Sequence, residues 1–410
     1  MDGADDPGIA LIAYHACPLA APGQGKSGGM NVHVRELARA MSSRGVRVDI
    51  FTREHEGQEF DAAGIADGVN VVHLPAGPAD APLPEQFEHL PDFLSGISHF
   101  QQHRQVKYIA VHSHYWMSGW VGLRLSEQWR MPHVATFHTL SRIKMQSRSG
   151  EQEPPIRGQT ETEIIAGSDS VIVFSEHERD SIIRLYNGIP GHIRLVPCGV
   201  DLSRFRPLGR STARTKLGLN GQNILLFVGR IEALKGLDLL IDTAAHLDAN
   251  DLKVLVVGDD ADGSGDLMRL KAMADDLRVG GSVEFIGRVA QDRLPWYYSA
   301  ADVCVVPSYY ESFGLVALES MACGTPVVAS RVGGLPTIIQ HGKTGYLKSW
   351  RCPEAFANSL EMILVNDSLQ ESMGRAARES AENMSWDAVA GQLLAIYQEL
   401  SEYRAAPGLA

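Results

Sequence analysis

Two carboxylates flank a short run of small and apolar residues in the second half of the chain, Glu311-Ser312-Phe313-Gly314-Leu315-Val316-Ala317-Leu318-Glu319. The run follows a predicted strand at 303–306 and has the composition of a helix start. The first amides of a helix lack intrahelical acceptors, and its N-terminus favours an anion by about 0.3–1 kcal/mol. We therefore predict that the amides of Gly314, Leu315 and Val316 bind a ligand, and that Glu311 and Glu319 accept hydrogen bonds from its hydroxyls. The alternative is a helix-capping Glu311 and a solvated Glu319.

Two cations follow another predicted strand. Arg230 and Lys235 come directly after the apolar run at 223–228 and lie close to Gly229 and Gly236 in sequence. Arginine binds phosphate oxygens in bidentate fashion, lysine acts as a point charge, and each charge-assisted hydrogen bond contributes roughly 1.5–3 kcal/mol. The arrangement predicts a clamp for a diphosphate. The alternative is a pair of ordinary surface cations.

A glycine-rich stretch lies between the first predicted strand and a predicted helix, Gly23-Gln24-Gly25-Lys26-Ser27-Gly28-Gly29-Met30-Asn31. Glycines let the backbone approach a phosphate, and the helix start that follows favours negative charge. We predict a loop in which Gly28 and Gly29 come close to a ligand phosphate. Gly25-Lys26-Ser27 is similar to the end of a P-loop, but Ala20 occupies the position of its first glycine. A dinucleotide fingerprint and a flexible surface loop are the other interpretations.

Histidines stand at the ends of two predicted strands in the first half. His112 and His114 alternate along one strand and share a face, as a metal pair would, but no third ligand with clear spacing follows. We expect ligand contacts from His114 and Tyr115, and core packing from Trp116. His138 follows the strand predicted at 133–137. A histidine at this position is either a structural residue or part of a site, and the carboxyl end of a strand favours a site.

Positive charge gathers downstream of His138. Lys144, Arg148 and Arg157 lie within one short segment of an otherwise acidic chain. This segment favours an anionic acceptor, and the alternative is a solvated loop.

Apolar, β-branched runs alternate with helical patterns along the chain, which predicts parallel sheets covered on both faces. In the first half we predict strands at 9–14, 46–51, 69–74, 108–112, 133–137, 170–174 and 193–196. In the second half we predict strands at 223–228, 253–257, 283–286, 303–306 and 326–329, with a helix at 237–247. Ligands bind beyond the carboxyl ends of the strands in such sheets, where the motifs above lie.

The pattern divides the chain into two domains of about 200 residues each. The first is predicted at 1–206 and the second at 207–385, with the boundary near Pro207 in a segment that contains Gly199 and Pro197. A last apolar helix within 386–410 follows the second sheet, and packing against the first domain is one arrangement open to it.

Composition excludes several classes of protein. The 44% hydrophobic and 21% charged residues are typical of a globular chain, and the net charge of −12 argues against a nucleic-acid binder. The 5 cysteines show no CxxC spacing, so neither a zinc site nor a disulfide framework is indicated. No apolar run is long enough to span a membrane, and the acidic start lacks the pattern of a signal peptide. We therefore expect a cytoplasmic protein with no transmembrane segment.

Taken together, the motifs resemble the retaining glycosyltransferases of family 4, which have the GT-B fold. The resemblance covers nearly the whole chain and is carried by GGMN at 28–31, HSHYW at 112–116, FHTL at 137–140, GVDLSRF at 199–205, FVGRIEALKG at 227–236, ESFGLVALES at 311–320 and the glycines at 333–334. It implies an α/β protein with two Rossmann-like domains whose parallel sheets face an inter-domain cleft. The motifs are most similar to the branch of that family that glycosylates inositol phosphate from UDP-N-acetylglucosamine, and less so to sucrose-phosphate synthases.

The resemblance also implies roles for individual residues. Arg230 and Lys235 would bind the donor diphosphate and stabilise the leaving group, Glu319 would hold the ribose hydroxyls, and Glu311 would hold sugar hydroxyls. Further donor contacts would come from main chain around Arg288 and from Ser312, Phe313, Gly314, Leu315, Val316, Gly28 and Gly29. His138 would lie beside the donor sugar. The acceptor would be bound by Asn31, Tyr115, Thr139 and Arg157, the last three at its phosphate.

The implied reaction is transfer of a hexose from a nucleotide diphosphate donor, such as UDP-N-acetylglucosamine or UDP-glucose, to a hydroxyl of a small, phosphorylated acceptor. It needs no metal and no cofactor, because the nucleotide-sugar is a substrate. No pair of carboxylates is spaced as in a glycosidase, and the donor's own phosphate would help to remove the acceptor proton on one face of the sugar. The inositol-phosphate enzymes carry a lysine where this chain reads Ala81-Pro82-Leu83-Pro84-Glu85.

Two other functions remain open at this stage. An NAD(P)-linked oxidoreductase would use the glycines at 23, 25 and 28, and it would need an acidic residue at the end of the second strand, where Thr52 and Arg53 stand instead. A sugar-nucleotide binding protein without catalysis is the other. The sequence leaves the oligomeric state open, with a homodimer as one arrangement.

Overall fold

The computed structural model describes residues 7–15, 17–20, 28–54, 64–78, 80–147, 152–221, 223–248, 251–260 and 265–406. These residues form two compact units. The first contains the described residues up to Pro197 together with those from Trp386 onward, and the second contains those of Cys198–Ser385. The change of unit falls before the sequence-based boundary near Pro207, because the segment from Cys198 already pairs within the second unit. Val200 N donates to Met384 O at 2.8 Å.

The first unit alternates strands and helices. Its strands are β1 (Gly8–Ile12), β2 (Val48–Arg53), β3 (Val69–Leu74), β4 (Tyr108–His114), β5 (His133–Thr136), β6 (Ser170–Val173) and β7 (Ile193–Leu195). Its helices are α1 (Gly29–Ser43), α2 (Leu83–Gln86), α3 (Leu90–Arg104), α4 (Trp116–Trp129), α5 (Ser141–Ser147), α6 (Pro155–Gly167) and α7 (Glu176–Tyr186). The strands form one parallel sheet in the order β3-β2-β1-β4-β5-β6-β7.

The second unit repeats the plan. The helices that precede the last strand of its sheet in the chain are α8 (Arg210–Leu217), α9 (Leu237–Ala244), α10 (Asp266–Asp276), α11 (Leu294–Ala300), α12 (Leu315–Ala322) and α13 (Leu335–Ile338). Its strands are β8 (Asn223–Val228), β9 (Leu252–Val257), β10 (Val283–Gly287), β11 (Val303–Val306), β12 (Val327–Ser330) and β13 (Gly345–Lys348), in the parallel order β10-β9-β8-β11-β12-β13. Helices α14 (Pro353–Leu364) and α15 (Asp367–Glu382) complete the unit.

Both sheets have the alternation that the sequence predicts. The centres of β1 and β8 are fully buried, as expected for parallel strands covered on both faces. The strand β13 was not predicted from the sequence, because it is short and begins at Gly345, where a side chain would collide with Val327 O at 2.0 Å. Helix α9 ends at Ala244, which is earlier than the predicted end at Leu247.

The last helix, α16 (Trp386–Ala405), lies in the first unit. Tyr397 is fully buried and its hydroxyl lies 2.5 Å from His112 Nδ1 on β4. At the helix start, Asp387 accepts hydrogen bonds from Arg44 at 2.8 and 2.9 Å. These contacts join the end of the chain to the first sheet.

In the part of the chain that the structure describes, none of the helices combines the length and the apolar character needed to cross a bilayer.

Candidate functional site

The strand order of the second unit creates a site at the carboxyl ends of β8 and β11. These strands are neighbours in the sheet, while the chain leaves β8 toward β9 on one side and reaches β12 from β11 on the other. Ligands of open α/β sheets bind at such a switch point, where the loops that follow the two central strands separate. The loop after β8 carries Arg230 and Lys235, and the loop after β11 carries Glu311.

Lys235 and Glu311 meet at this point. The Lys235 ammonium lies 2.7 Å from Glu311 Oε2, and both side chains remain partly exposed. Sequence analysis treated the two residues as separate contacts, one for a diphosphate and one for sugar hydroxyls. The structure brings them together as an ion pair at the strand ends, where a ligand can reach both.

The two loops are joined by a backbone hydrogen bond, and Arg351 contacts the loop after β11 while it pairs with Asp238 on α9 at 3.7 Å. Tyr309 N donates to Leu234 O at 2.8 Å. The Arg351 guanidinium lies 3.4 Å from the centre of the Tyr309 ring and donates to Pro307 O. Gly236 packs so closely that an added Cβ would lie 2.2 Å from Pro307 O. Lys235 is therefore held against the loop that carries Glu311. Nothing in the sequence singles out Arg351, because the strand that precedes it, β13, is itself not predicted from the sequence.

Arg230 is the second predicted phosphate ligand. Its guanidinium pairs with Glu232 at 3.1 Å and is 38% exposed, so it is accessible to a ligand. Gly258, just after β9, cannot be replaced easily, since a Cβ on it would lie 1.8 Å from the carbonyl oxygen of Gly229, the residue before Arg230. The close approach of the backbones at Gly229 and Gly258 thus brings the ends of β8 and β9 together next to Arg230.

The end of β10 carries Arg288, predicted to lie where main chain meets a nucleotide base. Gly287 O accepts from Gly258 N at 2.9 Å, which continues the contact between β9 and β10 beyond the strands. The exposed Arg288 side chain lies 3.5 Å from Asp259. The Arg288 segment and the Arg230 loop therefore share the same edge of the second sheet.

Two glycines after β12 form the support beneath Glu311. Gly334 N donates to Glu311 O at 2.9 Å. Gly333 has φ +51°, and a Cβ there would lie 1.8 Å from Glu311 O, while a Cβ on Gly334 would lie 2.4 Å from Ser312 O. Sequence analysis included this glycine pair in the family signature without a role. The structure shows that only glycines allow the loop after β12 to pack against the backbone of Glu311 and Ser312.

Helix α12 begins at Leu315, inside the run 311–319 in which the sequence predicts a helix start. Gly314 is its N-cap residue with φ +103° and no side-chain cap, so the interpretation of Glu311 as a helix cap is wrong. Leu318 N donates to Gly314 O at 3.1 Å, which leaves the amides of Leu315 and Val316 without intrahelical acceptors. Phe313 is buried and can offer a ligand its backbone only. The helix start thus directly follows the loop that carries Glu311.

Glu319 lies within α12 and is only 8% exposed. Its Oε2 accepts a hydrogen bond of 2.8 Å from the hydroxyl of Tyr298, which is fully buried on α11. The alternative of a solvated Glu319 is therefore wrong. Sequence analysis missed Tyr298, since a tyrosine in an apolar helix looks like an ordinary core residue.

The first unit contains a second group of candidate residues at the ends of β4 and β5. His114 Nδ1 lies 3.0 Å from His138 Nε2, and the ring of His33 from α1 lies 5.5 Å from that of His114 and 5.0 Å from that of His138. Burial, helped by the neighbouring imidazoles, lowers the pKa of His114 and His138 well below the usual value. These histidines are therefore neutral at physiological pH.

His112 does not form a metal pair with His114. Its Nδ1 bonds to Tyr397 and its Nε2 lies 2.8 Å from Thr136 Oγ1, so both ring nitrogens are occupied. His114 is fully buried, whereas the sequence suggested that it contacts a ligand directly. Its contact is with His138. Trp116 is buried in the core, as predicted.

Two candidate residues adopt backbone conformations that non-glycine residues avoid. Tyr115 has φ +79° and His138 has φ +60°. Such strain costs about 1–3 kcal/mol and concentrates at functional sites, where the surrounding structure enforces it. Tyr115 N donates to Thr136 O at 2.8 Å, and the turn at His138 is closed by Thr139 N donating to Phe137 O at 2.7 Å.

The predicted acceptor ligands Tyr115, Thr139 and Arg157 come together in the first unit. Arg157 donates to Thr139 O at 2.8 Å and to Thr139 Oγ1 at 3.0 Å. Its guanidinium lies 4.8 Å from the centre of the Tyr115 ring. Arg157 is only 2% exposed, so it holds the loop after β5 in place as well as bringing a positive charge to it.

Two carboxylates that sequence analysis did not single out surround Arg157. Glu161 lies 2.7 Å from its Nε and Glu153 lies 2.9 Å from its Nη1, while Glu153 also pairs with Lys144 at 2.8 Å. Burial disfavours the charged form of Arg157, but Tyr115 and the charges of Glu161 and Glu153 outweigh that effect and raise the pKa of Arg157. The two carboxylates resembled solvated residues in the sequence because acidic side chains on helices are usually exposed. Arg148 lies outside the described residues.

Asn31 and the glycines before it form the start of α1. The Asn31 amide group donates to Cys17 O at 2.7 Å, and its carbonyl oxygen accepts from Gly28 N at 3.1 Å. Asn31 is thus buried, and its side-chain amide bonds to the protein's own backbone. A direct contact with the acceptor would have to replace one of these hydrogen bonds. Gly28 is the N-cap residue and Gly29 is exposed in the first turn. The rest of the motif, 23–27, lies outside the described residues.

The end of β2 does not suit a dinucleotide. Arg53 stands there fully buried, with its Nε 2.8 Å from Ala76 O. Asp49, inside the strand, accepts from the hydroxyl of Tyr108 at 2.7 Å and is itself buried. Neither residue offers a carboxylate to a ribose at the strand end, as an NAD(P)-linked oxidoreductase requires.

Comparison with known proteins gives one consistent result. Residues 27–204 match the family model described as Glycosyltransferase Family 4, and residues 209–380 match the one described as Glycosyl transferases group 1. The D-inositol 3-phosphate glycosyltransferases of Mycobacteroides abscessus and Xylanimonas cellulosilytica are 39% and 36% identical, over 97% and 99% of this chain and 90% and 100% of theirs. A solved structure of sucrose-phosphate synthase from Thermosynechococcus elongatus is 35% identical, with TM-score 0.89, over 98% of this chain and 100% of that one.

Proposed function

Because the chain belongs to these glycosyltransferases and is a GT-B enzyme that transfers a hexose from a nucleotide donor, we propose that it is a retaining, metal-independent transferase. The donor is a UDP-sugar such as UDP-N-acetylglucosamine or UDP-glucose. The acceptor is a small molecule that carries a phosphate and reacts through a hydroxyl. Inositol 3-phosphate occurs in the name of the curated relatives, and sucrose phosphate, a phosphorylated product, occurs in the name of the solved structure, which supports a phosphorylated acceptor without identifying it.

The observation that carries the proposal is the Lys235–Glu311 pair at the ends of β8 and β11. In the proposed complex, the donor diphosphate lies against Lys235, Arg230 and the first amides of α12, and Glu311 accepts hydrogen bonds from the sugar hydroxyls. Two cations and a helix start offset the charge that develops on the leaving diphosphate, and such preorganised donors lower barriers without reorganisation. Ser312 and Phe313 add backbone contacts, and main chain around Arg288 meets the base.

Retention follows from transfer on one face of the sugar. The bond from the anomeric carbon to the diphosphate oxygen breaks, and the acceptor oxygen bonds to the same face. The acceptor proton passes to the departing diphosphate oxygen, so no protein carboxylate is needed as the base. Lys235 and Arg230 provide the positive charge that a divalent ion would otherwise supply. Catalysis then rests on positioning and electrostatics.

The first unit supplies the acceptor groups in this proposal. Arg157, Thr139 and Tyr115 form one contact network, and His138, whose backbone is strained like that of Tyr115, directly precedes Thr139. The lysine of the inositol-phosphate enzymes is absent from 81–85, while the structure places Lys144 near Arg157 through their shared partner Glu153. This difference supports testing a hexose phosphate, as for a sucrose-phosphate-synthase-like enzyme, beside inositol phosphate.

The test is release of UDP from UDP-glucose and UDP-N-acetylglucosamine with inositol phosphate, hexose phosphates and their unphosphorylated counterparts. Reactions run with EDTA should proceed at the rate without it, and proton NMR of the product should show the anomeric configuration of the donor. Acceptor-dependent UDP release separates transfer from mere binding. Inversion, or loss of activity with EDTA that Mg²⁺ restores, would contradict the corresponding part of the proposal.

A further inference from the structure

Tyr298 contacts helix α12 at two separate points. Its backbone carbonyl accepts a hydrogen bond of 2.7 Å from Thr325 Oγ1, just beyond the end of α12, and its hydroxyl donates to Glu319 Oε2 at 2.8 Å. The residue is fully buried, and its ring packs edge-on against Phe205 at 6.1 Å. The phenol is thus fixed by backbone, packing and side chain together, and it cannot rotate away from the carboxylate.

This contact restricts the orientation of the Glu319 carboxylate. A carboxylate that is nearly buried needs donors, and a bond to a charged acceptor is stronger than one between neutral groups. With Oε2 committed to the phenol, rotation of the carboxylate about its own axis would break that bond. Glu319 is 8% exposed, and the orientation of its carboxylate is set from the buried side, where Tyr298 lies.

We propose that Tyr298 is a positioning residue that orients Glu319 toward the ribose of the nucleotide and so determines the preference of the site for ribonucleotides over deoxyribonucleotides. The inference rests on the proposed function, which assigns the ribose hydroxyls to Glu319. It adds a specific cause: the selectivity for ribose depends on a tyrosine that lies behind the carboxylate and never touches the ligand.

Tyr298→Phe is the smallest change that tests this. It removes one hydroxyl and keeps the ring, the bond from Thr325 and the packing against Phe205. The neighbouring Tyr297 offers a matched control on the same helix, since it is 8% exposed and its hydroxyl makes no hydrogen bond among the residues that the structure describes. Tyr297→Phe should leave nucleotide binding unchanged.

The measurement is calorimetric binding of UDP, 2′-deoxy-UDP and 3′-deoxy-UDP to the full chain. Wild type should prefer UDP over either deoxy analogue by roughly tenfold or more, the worth of one charge-assisted hydrogen bond. Tyr298→Phe should bind UDP roughly tenfold more weakly, with little change in affinity for the deoxy analogues, so that the preference shrinks. In a Glu319→Ala background the same substitution should have no further effect. Glu319→Leu, which fills the buried space but offers the phenol no acceptor, serves if the alanine variant does not fold.

Three results for the Tyr298→Phe variant would overturn the inference. Tyr298→Phe could weaken UDP and both deoxy analogues equally, as a general loss of packing would; it could leave the preference intact; or its effect could persist without Glu319. Absence of UDP binding by the wild type would overturn it together with the donor assignment. If UDP binds as expected but no acceptor gives sugar transfer, the proposed function fails while the role of Tyr298 stands, because binding alone is measured.

Discussion

Lys235 Nζ and Glu311 Oε2 lie 2.7 Å apart, although 76 positions separate the two residues in the sequence. The contact exists because β8 and β11 are neighbours in the second sheet, so that the loops after them meet. Each charge stabilises the other before a donor binds, and both remain partly exposed. A cation is thereby kept at the strand ends of an acidic chain, at the position where a diphosphate needs it.

Replacing Gly333 with alanine should displace Glu311. The added Cβ would lie 1.8 Å from Glu311 O, so the loop must move, and φ +51° adds about 1 kcal/mol of strain for any residue with a side chain. We expect KM for the donor to rise at least about tenfold, the equivalent of one lost hydrogen bond. Gly342→Ala is the matched control, with φ +80° and nothing within 4 Å of the new Cβ. Equal donor KM values in the two variants would contradict the role of Gly333.

Glu161→Gln should strongly destabilise the first unit. The carboxylate is fully buried and accepts hydrogen bonds from Arg157 Nε at 2.7 Å, from Ser141 N and from the hydroxyl of Tyr186. Removing the negative charge of Glu161 leaves the buried guanidinium of Arg157 with less opposite charge around it, which should lower the free energy of unfolding by about 3–5 kcal/mol. Urea unfolding followed by circular dichroism measures this.

Glu163→Gln, on the same helix, provides the comparison. Glu163 is 52% exposed and pairs with Arg124 at 3.1 Å, and an exposed pair contributes less than about 1 kcal/mol. A loss for Glu161→Gln as small as that for Glu163→Gln would mean that the buried network does not stabilise the fold.

Stability should fall as the pH drops below about 6.5. Burial lowers the pKa of His33 and of His133 to about 3, so each binds a proton in the unfolded chain between these values but not in the folded one. The unfolded state then binds more protons, and each histidine lowers the free energy of unfolding by about 1.4 kcal/mol per pH unit in this window. Urea unfolding at pH 7.5 and 5.5 measures the slope.

The variant His33→Leu should flatten this slope, while replacement of the exposed His103 by glutamine should leave it unchanged. An unfolding free energy that stays constant, or rises, between pH 7.5 and 5.5 would contradict a neutral histidine core.

The sequence located most of the strands but not the contacts between the residues that follow them. Apolar, β-branched runs located β8 and β11, because buried parallel strands have no polar face. Strand β13 was not predicted, because it is short and begins at Gly345. The pairing of Lys235 with Glu311 depends on strand order, which no local pattern encodes. Glu161 and Tyr298 were missed for opposite reasons: a buried acid looks like a surface residue in a sequence, and a hydrogen-bonded tyrosine looks like core.

The most direct test of the account is the rate of sugar transfer by Lys235→Ala with a donor and acceptor that the wild type uses. Loss of one transition-state donor should lower kcat by roughly 10²–10³-fold. Lys253→Ala is the control, because Lys253 pairs with the partly exposed Glu284 on β10, and it should turn over as the wild type does. A Lys235→Ala enzyme with near wild-type kcat would contradict the claim that this lysine stabilises the departing diphosphate.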